Sequence, residues 1–195
     1  MQGNKMGGSG PTMKADLVKA IVLSYMRYDR QCPVVALEAS NMDVAAVTKA
    51  RRLVEIEVKT SISDLRSDKR KRKHQLWGKE AYKFVGFRYS PEDSVSRFYF
   101  AVPYDLKEKA VKVCEELYPY AGLLAVKVRP NWPYYFTWEA RKAKVLSAKR
   151  LPLQELIELV KSQSATVCRL ALAVGRNGHQ IELIPAPDKK GETIW

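Results

Sequence analysis

Between Leu53 and Lys59 the chain alternates: Val54, Ile56 and Val58 are apolar and β-branched, while Glu55, Glu57 and Lys59 are charged. Successive side chains of a strand point to opposite faces. The pattern therefore predicts a strand with one core face and one charged face. Met42–Val47 predicts its antiparallel partner, with Thr48–Arg52 as the turn. Upstream, Leu17, Ile21, Tyr25 and Tyr28 recur at helical spacing, widened by Val18, Val22 and Met26. That stripe predicts a helix over Lys14–Arg30, with Thr12 as a candidate cap. Pro33 closes the connection, and Val34–Leu37 predicts a first strand.

Beyond the hairpin, Ser61 followed by Asp64 has the spacing of a capping box, and a helix is expected to run on to about Trp77. Trp77, Tyr82, Phe84, Phe87 and Tyr89 come next, mixed with Lys79, Lys83 and Arg88. Such a mixture either packs beneath a long loop or stacks on unpaired bases. Arg97–Val102 is rich in aromatic and β-branched residues and predicts a strand ended by Pro103. Asp105 is a candidate cap for a helix over Leu106–Leu117, and Leu123–Val128 predicts another strand. A strand–helix–strand run of this kind implies parallel pairing and a right-handed crossover. The economical arrangement is an α/β domain, a mixed sheet with helices on both faces.

The expected organisation has three parts: a Gly/Ser-containing disordered leader at 1–12, a catalytic or binding domain at 13–128, and a basic, aromatic extension at 129–195. The extension opens with Pro130–Phe136, aromatic and turn-rich. It continues with a helix over Leu151–Ser162, a stretch over Thr166–Val174 that reads as helix in preference to strand, and an irregular tail from Gly175.

Charge changes the picture. The 195 residues carry a net charge of +13 at pH 7, with a pI of about 9.7. That excess favours a polyanionic partner, nucleic acid before acidic membrane. Six of the eight residues from Arg66 to Lys73 are basic, so this helix is expected to cradle a phosphodiester backbone, with Arg66, Lys69, Arg70 and Lys73 as contacts. His74 either joins them or packs. Arg141, Lys142 and Lys144 are further candidates for backbone contact. Cys32, Cys114 and Cys168 are far apart, and no CxxC pair occurs. A disulfide framework or zinc knuckle is not expected, and a reducing compartment fits. With no signal peptide and no membrane-length apolar run, the expectation is a cytoplasmic, nucleoid-associated protein with no membrane partner.

The candidate chemistry lies on the hairpin. Asp43 is in antiparallel reach of Glu57 and Lys59. Two carboxylates and the carbonyl of Val58 are hard oxygen donors of the kind Mg²⁺ takes. Lys59, two residues from Glu57, can position a water and neutralise charge on a phosphate.

The set Asp43…Glu57-Val58-Lys59 resembles the PD-(D/E)xK nuclease superfamily. With EIEVKTSISDLRSDKRKRKH, RFYFAVPYDLKEKA and AGLLAVK, the stretch 34–128 resembles its MmcB-like DNA-repair nucleases and related phage-borne nucleases. The resemblance implies a restriction-endonuclease-like fold with a C-terminal basic helical extension. It implies a Mg²⁺- or Mn²⁺-dependent endonuclease acting on DNA in repair, recombination or phage DNA processing. Asp43, Glu57 and Lys59 would be catalytic, with Asp43, Glu57 and the Val58 carbonyl on the metal. In some relatives a further acid from the first helix reaches the metal; here Asp16 would be that residue, or Glu38 at the end of the first strand. A homodimer is an assembly the resemblance allows, since many relatives cut two strands as dimers. The same fold used only to hold nucleic acid is the alternative.

Overall fold

The computed structural model describes residues 13–77, 94–128 and 135–176. It is a mixed α/β fold. Helix α1 (Ala15–Ser24) continues as a π-helical turn over Tyr25–Asp29. Strands β1 (Val34–Ala39), β2 (Met42–Val47) and β3 (Leu53–Val58) follow. Next come α2 (Ile62–Ser67), a 3-10 turn at Asp68–Arg70 and α3 (Arg72–Trp77). The remainder is β4 (Val95–Pro103), a 3-10 turn at Tyr104–Leu106, α4 (Lys107–Leu117), β5 (Gly122–Val128), β6 (Tyr135–Arg141) and α5 (Leu153–Arg176).

The six strands form one sheet in sequence order. β1, β2 and β3 are an antiparallel meander. β4 pairs parallel to β3 and β5 parallel to β4, and β6 closes the sheet antiparallel to β5. β1 and β2 are joined by Ser40 and Asn41, both at positive φ (52° and 63°). That is the backbone a two-residue hairpin needs to match strand twist. The β2–β3 turn is tied by the Thr48 N–H to the Arg52 carbonyl (3.0 Å) and by the Arg52 N–H to Thr48 Oγ1 (3.1 Å).

Each face of the sheet buries an apolar layer. On one, Val18, Ile21 and Val22 of α1 and Met26 of the π-helical turn pack on Val44, Val54, Ile56, Val58 and Leu124. On the other, Leu65 of α2 and Ala110, Val113 and Cys114 of α4 cover Leu53, Phe98, Phe100, Val102 and Leu123. At roughly 25 cal/mol per Å² of apolar area, these two layers are the main stabilising term.

Several expectations need correction. The helix over Lys14–Arg30 ends at Ser24 as α-helix, and its N-cap, Lys14, makes no side-chain bond; Thr12 lies outside the described residues. The helix expected to reach Trp77 is two short helices, because Lys71 takes an extended backbone (ψ 138°) between them. Asp105 does not cap α4; Leu106 stands at its N-cap. The sheet also runs past residue 128, since β6 is one of its strands. The Ser61 cap forms as expected, its Oγ accepting from the Asp64 N–H at 3.1 Å.

The two C-terminal helical stretches are one helix, α5. The chain divides into two units, Met1–Gln163 and Ser164–Trp195. The sheet and the sites on it belong to the first unit; in the second, the described residues continue α5 to Arg176. Cys32 and Cys114 are free and buried, whereas Cys168 is exposed. Among the described residues, no helix is long and apolar enough to cross a membrane.

A buried charge network on the candidate active strand

All six residues of β3 are buried, Glu55 and Glu57 included. Lys59, just beyond, is 5% exposed. The alternation read from sequence holds: Val54, Ile56 and Val58 enter the α1 layer, and the charged side chains take the opposite face. Buried ionised groups must be paired, and α2, the 3-10 turn and α3 carry the partners.

Glu57 is ringed by three ammonium groups: Lys71 at 3.0 Å, Lys59 at 3.5 Å, and Lys73 in close contact. Lys73 also binds Glu55. Lys59 donates to Asp68 at 2.7 Å, and Lys71 reaches the same oxygen at 2.9 Å. The second Asp68 oxygen meets His74 Nε2 at 2.6 Å, and His74 Nδ1 meets the Tyr120 hydroxyl at 2.6 Å. The His74 ring is enclosed by Trp77, Phe98, Phe100 and Tyr118.

The environments set the ionisation. Burial would raise Asp68, but hydrogen bonds from His74, Lys59 and Lys71 hold its carboxyl well below the usual range. Burial would likewise raise Glu57; Lys73 and Lys71 outweigh it and lower it. In Glu55 burial prevails over Lys73, and the carboxyl is raised. Burial also lowers His74 in spite of Asp68, so the imidazole is held neutral. Burial opposes the charge on Lys71, yet Asp68 and Glu57 hold it raised.

Asp43 is joined not to these side chains but to the β3 backbone and to α1. One oxygen accepts from the Val58 N–H at 2.8 Å, and the other is 3.2 Å from Lys19 of α1. The Asp43 carboxylate thus touches the peptide of the residue between Glu57 and Lys59. Glu38 shares the same Lys19 at 2.8 Å. Asp16 is exposed in the first turn of α1. Among the described residues, no group of three or more His, Cys, Asp and Glu side chains is arranged to hold a metal.

The expected nucleic-acid contacts divide. Lys69 and Arg70 are exposed, as are Lys142 and Lys144. Arg66 faces solvent and pairs with Glu116 at 3.2 Å. Lys73 and His74 turn inward, because the carboxylates of β3 and Asp68 draw them into the network. Arg141 is spent on the backbone, donating to the carbonyls of Tyr118, Pro119 and Ala121. The aromatics between Tyr82 and Tyr89 lie outside the described residues.

Asp68 is not among the residues that the sequence singles out. Its signal is faint: one acid inside a basic run, nine residues after Lys59. A cavity of about 450 Å³ opens beside the network, between the Ser40–Asn41 turn and Val95, with Glu55, Glu57, Lys71, Arg72 and Lys73 as its charged lining.

Asp43 and Glu57 are carboxylates of the kind a hard divalent cation takes, but their contacts differ: Asp43 is held by the Val58 N–H and Lys19 of α1, and Glu57 by Lys59, Lys71 and Lys73. Every Glu57 oxygen is also engaged by an ammonium, so a cation there must displace one. Lys71 is the candidate to yield, its side chain being 46% exposed against 11% for Lys73.

No protein-family model matches the chain, and no curated protein matches it. Among solved structures it is similar to a protein of unknown function from Silicibacter pomeroyi, with a TM-score of 0.51 and 18% identity over 88% of this chain and 99% of that one. At that identity the likeness speaks for the fold alone.

Proposed function

We propose that the chain is a metal-dependent deoxyribonuclease on a restriction-endonuclease-like sheet, with Asp43, Glu57 and Lys59 at its centre. The observation that carries this reading is the Glu57–Lys59 pair at the end of β3, with Asp43 bonded to the backbone N–H of the residue between them and its other oxygen turned to Lys19 of α1. Glu57 and Lys59 stand 3.5 Å apart on one face of β3, and Asp43 reaches the Val58 N–H from β2. A mixed sheet flanked by helices, in which β4 runs parallel to β3, is compatible with that reading.

Asp43 and Glu57 would hold Mg²⁺ or Mn²⁺. When bound, the ion supplies Lewis-acid polarisation of the phosphoryl group. The chain's own residues do the rest. Lys59 places a fixed positive charge where negative charge develops on the phosphate. Asp68 positions Lys59, and His74 positions Asp68. Lys71 can leave Glu57 for a phosphate oxygen, which would draw the incoming backbone to the cavity mouth and free a carboxylate oxygen at the same moment. Lys69 and Arg70, on the exposed turn, add backbone contacts whose strength falls with salt.

The test is plasmid nicking with Mg²⁺ or Mn²⁺. Activity should vanish in EDTA and fall about 10²- to 10³-fold in the Glu57→Gln and Lys59→Ala variants. Unchanged nicking in either variant discards the reading.

A second reading has its own support. Three carboxylates, Glu55, Glu57 and Asp68, already face three ammonium groups, Lys59, Lys71 and Lys73. A cluster balanced in this way needs no cation, which suits a nucleic-acid-binding module without cleavage. Thermal melting separates the two. A ligand of the native state raises the melting temperature, so millimolar Mg²⁺ or Mn²⁺ should raise it for the nuclease and leave it unmoved for the module.

A further inference from the structure

At the far edge of the sheet, β6 presents aromatic side chains to solvent. Phe136 and Trp138 are 37% and 43% exposed. They alternate onto one face and their rings are 5.6 Å apart, tilted by 31°. Tyr104, at the end of β4, packs its ring 5.0 Å from Trp138. Two ammonium groups stand over Tyr104, Lys107 at 4.6 Å and Lys127 at 5.1 Å. Asp105 and Glu108 are the acids of this segment; Glu108 lies 3.4 Å from Lys107, and Lys127 is itself exposed.

The register fixes where this surface lies. Glu57 is level with Phe100, Val102 with Ala125, and Ala125 with Trp138. Phe100 and Val102 share the face that carries Glu57. Trp138 and Phe136 are therefore on that same face, toward the same end of the parallel strands as Lys59. Three strand spacings separate β6 from β3, about 14 Å.

We propose that the Tyr104–Phe136–Trp138 surface, with Lys107 and Lys127, binds single-stranded nucleic acid by stacking unpaired bases. Exposed aromatic rings interleaved with cations are what sequence-tolerant strand binding uses: rings take base faces and ammonium groups take phosphates. A buried structural role does not require rings this open, and a purely apolar partner does not require the lysines. The occupant follows from charge complementarity, since the chain carries a net +13. The inference deepens the nuclease reading by naming its substrate class, a strand with unpaired bases held beside β3. It rests on that reading only for the cleavage step, not for capture of the strand.

The experiment is fluorescence anisotropy in EDTA with labelled oligothymidylate, oligouridylate and a duplex of equal length. Wild type should bind the single strands more tightly than the duplex. Trp138→Leu should weaken single-strand binding about 5- to 150-fold, the range for loss of one stacked base, and leave duplex binding within about twofold. Trp138→Tyr, which keeps a ring, should retain most of the affinity. Should the leucine variant fail to fold, Lys127→Glu decides: it should weaken oligonucleotide binding and flatten its salt dependence. Loss with either oligonucleotide upholds the proposal and identifies the sugar. Unchanged single-strand affinity, equal loss on duplex, or conversion of a dimer to a monomer with affinity intact overturns it. Because cleavage is absent in EDTA, the outcomes separate from those of the nicking test: binding without nicking in Mg²⁺ removes the nuclease and leaves the surface, and nicking with indifferent Trp138 variants does the reverse.

Discussion

β3 and β6 show the same sheet face to opposite surroundings. On β3 that face carries Glu55 and Glu57, only 3% and 4% exposed and enclosed by α2 and α3. On β6 it carries Phe136 and Trp138, 37% and 43% exposed. Charge lies inside and aromatic carbon outside, the reverse of what stability alone selects. Each inversion has a cost, so each points to use. The interior strand holds charges in a fixed geometry at low dielectric, where one electrostatic contact counts for more. The edge strand offers adaptable stacking area without a shaped pocket.

The comparison breaks first at β3. Glu57→Gln and Lys59→Ala should each reduce nicking about 10²- to 10³-fold, the scale for losing one preorganised electrostatic contact. Affinity for uncleaved DNA in EDTA should shift only a few-fold. Comparable nicking by wild type and variants would reduce β3 to a structural ion network.

A second measurement concerns stability. Asp68→Ala leaves Lys59 and His74 buried without their carboxylate, and urea unfolding should report a loss of about 3–5 kcal/mol. Asp68→Asn, which keeps hydrogen-bonding atoms, should lose less. Trp138→Leu on the open strand should cost only about 1 kcal/mol, the scale of an exposed ring contact. Equal losses at the two positions would erase the contrast between the strands.

Acidity sharpens the same contrast. Glu57, Asp68 and His74 all have lowered folded pKa values. Each binds fewer protons folded than unfolded, so its contribution is present above the unfolded value and lost as pH falls. The unfolded values are about 6.5 for His and about 4 for the carboxyls. Glu55, raised by burial, acts in the opposite sense just above the usual carboxyl range. The melting temperature should therefore decline below about pH 6.5 and drop further near pH 4. The first decline should shrink in His74→Gln. A melting temperature level from about pH 7 to about pH 4 would place these groups in solvent. The smallest effect belongs to the exposed Arg66–Glu116 pair, where Arg66→Ala should change stability by under about 1 kcal/mol.

Much of the architecture is legible in the sequence. The bounds of β3 follow from period-two alternation, β2 spans the residues predicted for its hairpin partner, and the Ser61 cap follows from its spacing to Asp64. The position of β6 is obscured by Pro130, Asn131, Trp132 and Pro133, which read as turn just before it. The inward turn of Lys71 and Lys73 is hidden for another reason. A basic run looks the same whether it faces phosphate or carboxylate, and only the folded distance to Glu55 and Glu57 decides. Asp68 escapes notice because the six cations around it suggest a single-minded surface.

Arg141 has a bearing on how this protein can be dissected. Its guanidinium reaches back from β6 to three carbonyls in the turn that launches β5. A fragment stopped at Val128 would lose that brace and leave the inner-type strand β5, apolar from Leu123 to Val126, as a raw flank with unpaired amides. Such flanks recruit other chains. Trimming the chain at Val128 would thus yield aggregate, and a fragment meant to keep the sheet closed has to extend through residue 141.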